Sequence, residues 1–266
     1  SSPAAATLID GGLAQQVAGI GGYVYWKKTL YGEVSFYRTA DGAFSILRQG
    51  QDTHTDGGVA ALKGYNPYWR FAYNHEWGPN SVMVGTYGMS VDRYPSNFDP
   101  STPTDHYRDI AVDAQYQYIT DPHVFTTQLT YIDEKQSYNA SYPTTLATGA
   151  GIGGGPTPAN SRDKLHTFKA KATYYLDRKY GATLGYFNTA GDADAGLYGT
   201  DGGGNAIKPD NSGYIIELDY LPVQYVRLML QYTGYGKFNG ASTNYDGTGR
   251  NARDNNTLFL NVWAAF

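Results

Sequence analysis

The feature that most constrains the fold of this chain is a series of segments in which apolar and polar residues alternate with a period of two. Such alternation is typical of β-strands that have one apolar and one polar face. No helical period of comparable quality competes with it. The sequence therefore predicts an all-β protein with about eleven strands, near 20–27, 30–38, 68–77, 81–92, 106–119, 123–137, 164–177, 180–190, 213–221, 225–238 and 256–266.

The connections between the predicted strands alternate strictly between short and long. The short ones lie at 27–29, 78–80, 120–122, 177–179 and 222–224, and the long ones at roughly 39–67, 93–105, 138–163, 191–212 and 239–255. This rhythm is typical of up-and-down barrels of the bacterial outer membrane, which have tight periplasmic turns and long extracellular loops. We therefore expect a transmembrane antiparallel β-barrel over residues 19–266, preceded by an N-terminal extension or extracellular loop over residues 1–18.

Composition excludes several other classes of protein. The chain has no cysteine, which excludes disulfides and a C-x-x-C-H haem attachment within it. Its net charge of -4 gives no basic surface for nucleic acid. The sequence contains no run of about 18 consecutive apolar residues, so it does not predict a membrane-spanning helix. A mean hydropathy of -0.48 is nevertheless compatible with spanning strands, because their residues alternate between apolar and polar.

The polar faces of the predicted strands carry charged residues of both signs, which we expect to line a pore. A mixed set predicts either a weakly selective aqueous lumen or opposite charges that are paired across adjacent strands. The seven acidic and five basic candidates are Glu33, Arg70, Glu76, Asp109, Asp113, Glu134, Lys169, Lys171, Glu217, Asp219, Arg227 and Lys237.

Aromatic residues cluster near the ends of the predicted strands, where a girdle at the membrane interface would place them. The members expected in this girdle are Tyr23, Tyr25, Trp26, Tyr68, Trp69, Trp77, Tyr116, Tyr118, Tyr174, Tyr180, Tyr220, Tyr225 and Trp263.

The chain ends with the alternating segment NNTLFLNVWAAF, in which Leu260, Val262, Ala264 and Phe266 share one face. This segment resembles the C-terminal strand that the barrel assembly machinery reads in bacterial outer-membrane proteins. Because single-chain bacterial barrels close with an even number of strands, eleven visible strands predict twelve or more in the complete barrel.

Four segments carry a closer resemblance: LIDGGLAQQVAGIGGYVYW, YWRFAYNHEWGPNSVMVGTYGM, DAQYQYI and NYDGTGRNARDNNTLFLNVWAAF. They look like the C-terminal barrel part of proteobacterial outer-membrane fused c-type cytochrome–porin proteins. The resemblance implies a porin-like pore or the sheath of an electron conduit, with a periplasmic or extracellular cytochrome as partner. It also implies that any haem c belongs to a segment before Ser1, because this chain lacks the haem site and carries no cofactor.

The sequence thus predicts a protein of the bacterial outer membrane that contacts membrane lipid and lipopolysaccharide. Two other hypotheses stay open: a soluble β-barrel that binds a sugar or lipid, and an outer-membrane barrel enzyme. We expect neither catalytic residues nor a metal site, because no nucleophile–base pair or metal-ligand spacing is present. Asp109 and Asp113, for example, are separated by roughly 13 Å along an extended strand, which is too far for an acid–base pair.

Overall fold

The computed structural model describes residues 5–11, 17–47, 61–96 and 101–265. Eleven antiparallel strands form one sheet in which every strand pairs with its neighbours in sequence. Their bounds are β1 Val17–Trp26, β2 Leu30–Thr39, β3 Asn66–Trp77, β4 Asn80–Arg93, β5 Asp105–Ile119, β6 His123–Ser137, β7 Arg162–Leu176, β8 Tyr180–Gly191, β9 Asn211–Val223, β10 Val226–Lys237 and β11 Thr257–Ala264. The predicted all-β up-and-down topology is confirmed.

The strand ends differ from the predicted ones by only a few residues. The last short turn is an example, since Pro222 and Val223 belong to β9 and the turn occupies residues 224–225. All five short connections lie at one end of the sheet, which we call the turn end. The long connections lie at the opposite end, the loop end. Strand β1 begins at Val17, two residues before the predicted start of the barrel.

The described parts of the long connections contain two short α-helices, α1 at Ser141–Thr148 and α2 at Ala195–Tyr198. The carboxylate of Asp194 caps α2 and also accepts hydrogen bonds from the backbone N–H groups of Ala159 and Asn160. One side chain therefore ties together the connections that follow β6 and β8. The described helices include none with the length and apolar character needed to traverse a bilayer.

The two faces of the sheet differ in both composition and exposure. One face, the apolar face, carries side chains such as Val84, Leu184 and Leu260, which are 53%, 63% and 75% exposed. The other face, the charged face, carries Asp109 and Glu134, each of which is 1% exposed. Two carboxylates of the sheet are thus buried while large apolar side chains on its other face are exposed, the reverse of the usual order in a soluble protein.

Aromatic residues form two rows on the apolar face. Near the turn end, Tyr180 and Tyr220 stack with their ring centroids 5.4 Å apart. Near the loop end, Tyr214 and Tyr232 lie 6.0 Å apart. Because Tyr214 and Tyr220 are six residues apart on β9, the rows are separated by roughly 20 Å along the strand.

The predicted girdle needs one correction. Tyr23, Tyr25, Tyr68 and Trp263 lie on the charged face, because the strand register pairs them with Glu33, Tyr31, Ser35 and Arg227, respectively. Proximity to a strand end suggested the girdle, but alternation along the strand decides the face. Neighbours such as Trp69 therefore point the opposite way from Tyr68.

Strands β1 and β11 are the two edges of the sheet and do not pair with each other. Both strands run from the loop end to the turn end, so that direct pairing between them would be parallel. An antiparallel closure therefore requires an odd number of further strands between β11 and β1.

Candidate pore lining

The strand register places eleven of the twelve predicted charged residues on the charged face, and nearly all of them belong to defined groups. The twelfth, Lys237, follows a register shift after Tyr235 at the loop end. Its Nζ lies 3.6 Å from Oδ2 of Asp210.

Asp109 and Glu134 face each other on β5 and β6 and hold the described part of the chain's start. We call residues 5–11 the N-terminal segment. The backbone N–H of Ile9 donates to Oδ2 of Asp109 at 2.8 Å, and that of Leu8 donates to Oε2 of Glu134. Asp10 pairs with Lys169 on β7. Two acidic wall residues are therefore covered by the chain itself at this level.

An apolar cluster continues from this segment across the loop-end half of the charged face. It is completed on its margins by partly buried residues such as Tyr37 and Tyr68. Its buried members are Leu8, Leu62, Met89, Val91, Tyr107 and Tyr138. These side chains come from the N-terminal segment, a long connection, β4, β5 and the start of another connection, so the cluster covers the loop-end part of the charged face on β4 and β5.

The second charged group spans three strands. Nη2 of Arg70 on β3 lies 2.7 Å from Oδ2 of Asp113 on β5, and the pair reaches across β4 above Gly85. A Cβ atom at Gly85 would lie 2.6 Å from Oδ1 of Asp113, so glycine leaves room for the pair in its observed geometry. Beside it, Glu33 accepts hydrogen bonds from Tyr31 Oη at 2.7 Å and Ser35 Oγ at 3.0 Å.

The third charged group repeats this arrangement on the other side of the sheet. Arg227 donates from Nε to Asp219 at 2.7 Å and from Nη2 to Glu217 at 3.0 Å. Tyr175 on β7 donates to Asp219 on β9 at 2.8 Å, above Gly181 of the intervening β8. A Cβ at Gly181 would overlap the Tyr175 ring. The mixed charges are thus largely paired, some of them across an intervening strand.

Small polar residues line the turn-end half between these groups. Cross-strand neighbours form one row on β3 to β9: Glu76, Ser81, Gln117, Thr126, Thr173, Thr183 and Glu217. Glu76 is exposed next to the turn, and Lys171 is exposed between Gln128 and Gly185. Short hydroxyl-bearing side chains leave space in front of this part of the wall.

Three of the four residues of the predicted assembly signal lie on β11. Leu260, Val262 and Ala264 share the apolar face of β11, where Leu260 faces Leu230 and Val262 faces Leu228. Phe266 lies outside the described residues.

Comparisons with known proteins give the class of fold. No family model and no curated protein matches the chain. Among solved structures, the outer membrane channel DcaP of Acinetobacter baumannii is 15% identical, with a TM-score of 0.54, over 100% of this chain and 68% of that one. The NanC porin is 12% identical over 94% of this chain and 93% of that one, with a TM-score of 0.35. The match to DcaP shows that the fold is similar to that of an outer-membrane channel.

Proposed function

We propose that this chain forms most of the wall of a β-barrel channel in the bacterial outer membrane. The observation that carries the proposal is the inversion of the two faces of the sheet. A contiguous exposed apolar surface is unfavourable in water, whereas lipid tails would cover it at no cost in hydrogen bonds. The charged face then lines an aqueous path. The barrel would close through an odd number of further strands between β11 and β1.

The lengths of the connections orient the barrel in the membrane. By the usual rule, the turn end faces the periplasm and the loop end faces outward. The apolar face would contact membrane lipid, and the loop end would contact lipopolysaccharide. The barrel assembly machinery would act on β11 and the residues that follow it.

The paired charges and the N-terminal segment on the loop-end half favour a narrow, weakly selective pore. Arg70, Arg227 and Lys169 each have an acidic partner, which reduces the net charge that faces the path. The N-terminal segment would form the constriction. This arrangement favours uncharged solutes over strongly charged ones.

A matched pair of substitutions on β10 tests the inversion. Leu230 belongs to the apolar face, opposite Leu218 and Leu260, and its neighbour Met229 belongs to the charged face, opposite Asp219. Leu230→Arg should impair insertion into lipid vesicles by about 2–4 kcal/mol, whereas Met229→Arg should insert like the wild type. Purified wild-type protein should also conduct ions in a planar bilayer. Equal tolerance of both arginines, together with an absence of conductance, would contradict the channel.

A second proposal, the sheath of an electron conduit, is favoured by the path of the N-terminal segment. Residues 5–11 lie against the charged face, so that a haem-bearing segment joined to them would be held at the lumen. The resemblance to cytochrome–porins supports this role, with a periplasmic or extracellular cytochrome as partner. Intact mass and Soret absorbance of the protein purified from its native membrane test it. A mass of 29.1 kDa without a haem band would exclude the conduit and leave the pore.

A further inference from the structure

Tyrosines are concentrated on the charged face of the first four strands. They alternate with the apolar residues that face outward, such as Val24 and Phe71. We call the set the tyrosine strip, and its members are Tyr23, Tyr25, Tyr31, Tyr37, Tyr68 and Tyr87.

The rings form a nearly continuous series from the turn end toward the loop end. Near the turn end, the ring centroid of Tyr31 lies 6.0 Å from that of Tyr23 and 6.4 Å from that of Tyr25. Farther along, the ring of Tyr68 lies 6.4 Å from Tyr37 and 6.5 Å from Tyr87. Since Tyr31 and Tyr37 are six residues apart on β2, the series covers roughly 20 Å of strand.

Arg70 joins the two halves of the strip. Its guanidinium carbon lies 5.2 Å from the centre of the Tyr87 ring, and its side chain lines a cavity of about 340 Å³ together with Tyr23, Tyr25 and Tyr31. A second cavity of about 340 Å³ lies between Tyr37, Tyr68 and the N-terminal segment. The strip therefore borders space at both of its ends.

The polar groups along the strip are already matched in charge. Arg70 is paired with Asp113, and Glu33 accepts hydrogen bonds from Tyr31 and Ser35. Asn74 donates to Tyr25 Oη at 2.7 Å. No cation of the strip is left unpaired to attract an anion, but hydroxyl, amide and guanidinium groups flank the rings and can form hydrogen bonds with a polar solute.

We infer that the tyrosine strip is a binding track for linear, uncharged oligosaccharides that pass through the channel. A pyranose ring has an apolar C–H face and a rim of hydroxyls. The C–H face can stack on a tyrosine ring, and the hydroxyls can form hydrogen bonds with the polar groups beside it. This inference rests on the proposed channel and adds its solute class.

Maltohexaose is a suitable probe, because it is a linear uncharged glucose oligomer. In planar bilayers, it should interrupt the ion current of the full-length protein. Its apparent affinity should fall at least about tenfold in a double variant, Tyr23→Ala with Tyr31→Ala, since two stacking surfaces are lost. Tyr23→Phe with Tyr31→Phe keeps both rings and should retain most of the affinity. Tyr186→Ala, on the apolar face of β8, is the matched control and should behave as wild type.

Saturation-transfer NMR of the detergent-purified protein with maltohexaose gives a readout that needs no conductance. Sugar binding without ion current would support the binding track and contradict the proposed channel. An ion current that maltohexaose does not block, together with an absence of saturation transfer, would contradict the binding track and support the proposed channel. Unchanged block in the double alanine variant would also overturn the track, provided that this variant migrates as a folded, heat-modifiable protein in gel electrophoresis.

Discussion

The two halves of the charged face are built by the same strands but stabilised differently. On β5, Tyr107 and Ala111 near the loop end are buried, whereas Gln115 and Gln117 near the turn end are only half-buried. The loop-end half resembles the core of a soluble protein, with apolar side chains packed around the N-terminal segment. The turn-end half relies on paired charges and small hydroxyl groups. The comparison shows that the inward residues of a single strand can be buried and apolar in one half and partly exposed and polar in the other.

The largest effect should come from opening a cavity in the apolar cluster. Leu62 is 2% exposed, so Leu62→Ala should lower the free energy of unfolding by about 2–5 kcal/mol. Thr126→Ala, in the polar row of the turn-end half, should cost less than about 1 kcal/mol. Urea unfolding followed by gel mobility measures both. Similar losses at the two positions would remove the distinction between the halves.

A functional effect should follow from detaching the N-terminal segment. Lys169→Ala removes the partner of Asp10, whereas Lys171→Ala, two residues away on the same face, leaves the segment's contacts intact. The partly exposed pair contributes less than about 1 kcal/mol, but its loss should loosen the segment and raise the frequency of high-conductance openings. Replacing residues 5–11 with a Gly-Ser linker should raise the mean conductance further. Identical single-channel records for all variants would show that the segment does not constrict the path.

A loss of stability smaller than that of Leu62→Ala, about 1–3 kcal/mol, is expected in the turn-end half when the glycine beneath an ion pair is replaced. Gly85→Ala would press a methyl group against Asp113 and separate it from Arg70. At Gly22 on β1 an added Cβ meets no atom within 4 Å, so Gly22→Ala serves as the control. Thermal unfolding of both variants in the same detergent gives the difference. A stable Gly85→Ala variant would mean that the pair is not a stabilising feature.

Period-two alternation was sufficient to predict the strands, their order and the common face of most charged residues. It could not predict which of these residues meet. Glu134 and Leu8 are far apart in sequence, and no local pattern records their contact. The pairing of Arg70 with Asp113 depends on the register of three strands, which alternation does not specify. The tyrosine strip was missed because closeness to turns suggested an interface role for Tyr23, Tyr25 and Tyr68, although strict alternation with Val24 and Trp69 indicates the opposite face.

Bridges above Gly85 and Gly181 also have a consequence for the order in which the sheet is assembled. Each bridge joins the first and third strands of a consecutive set, so it cannot form when only one hairpin has been added. When β5 is added, the Arg70–Asp113 pair links it to β3 across β4. When β9 is added, the Tyr175–Asp219 hydrogen bond links it to β7 across β8. We therefore expect the pairing of each hairpin to be reversible until the next strand forms its bridge. The growing sheet could then still correct the register of the last hairpin added.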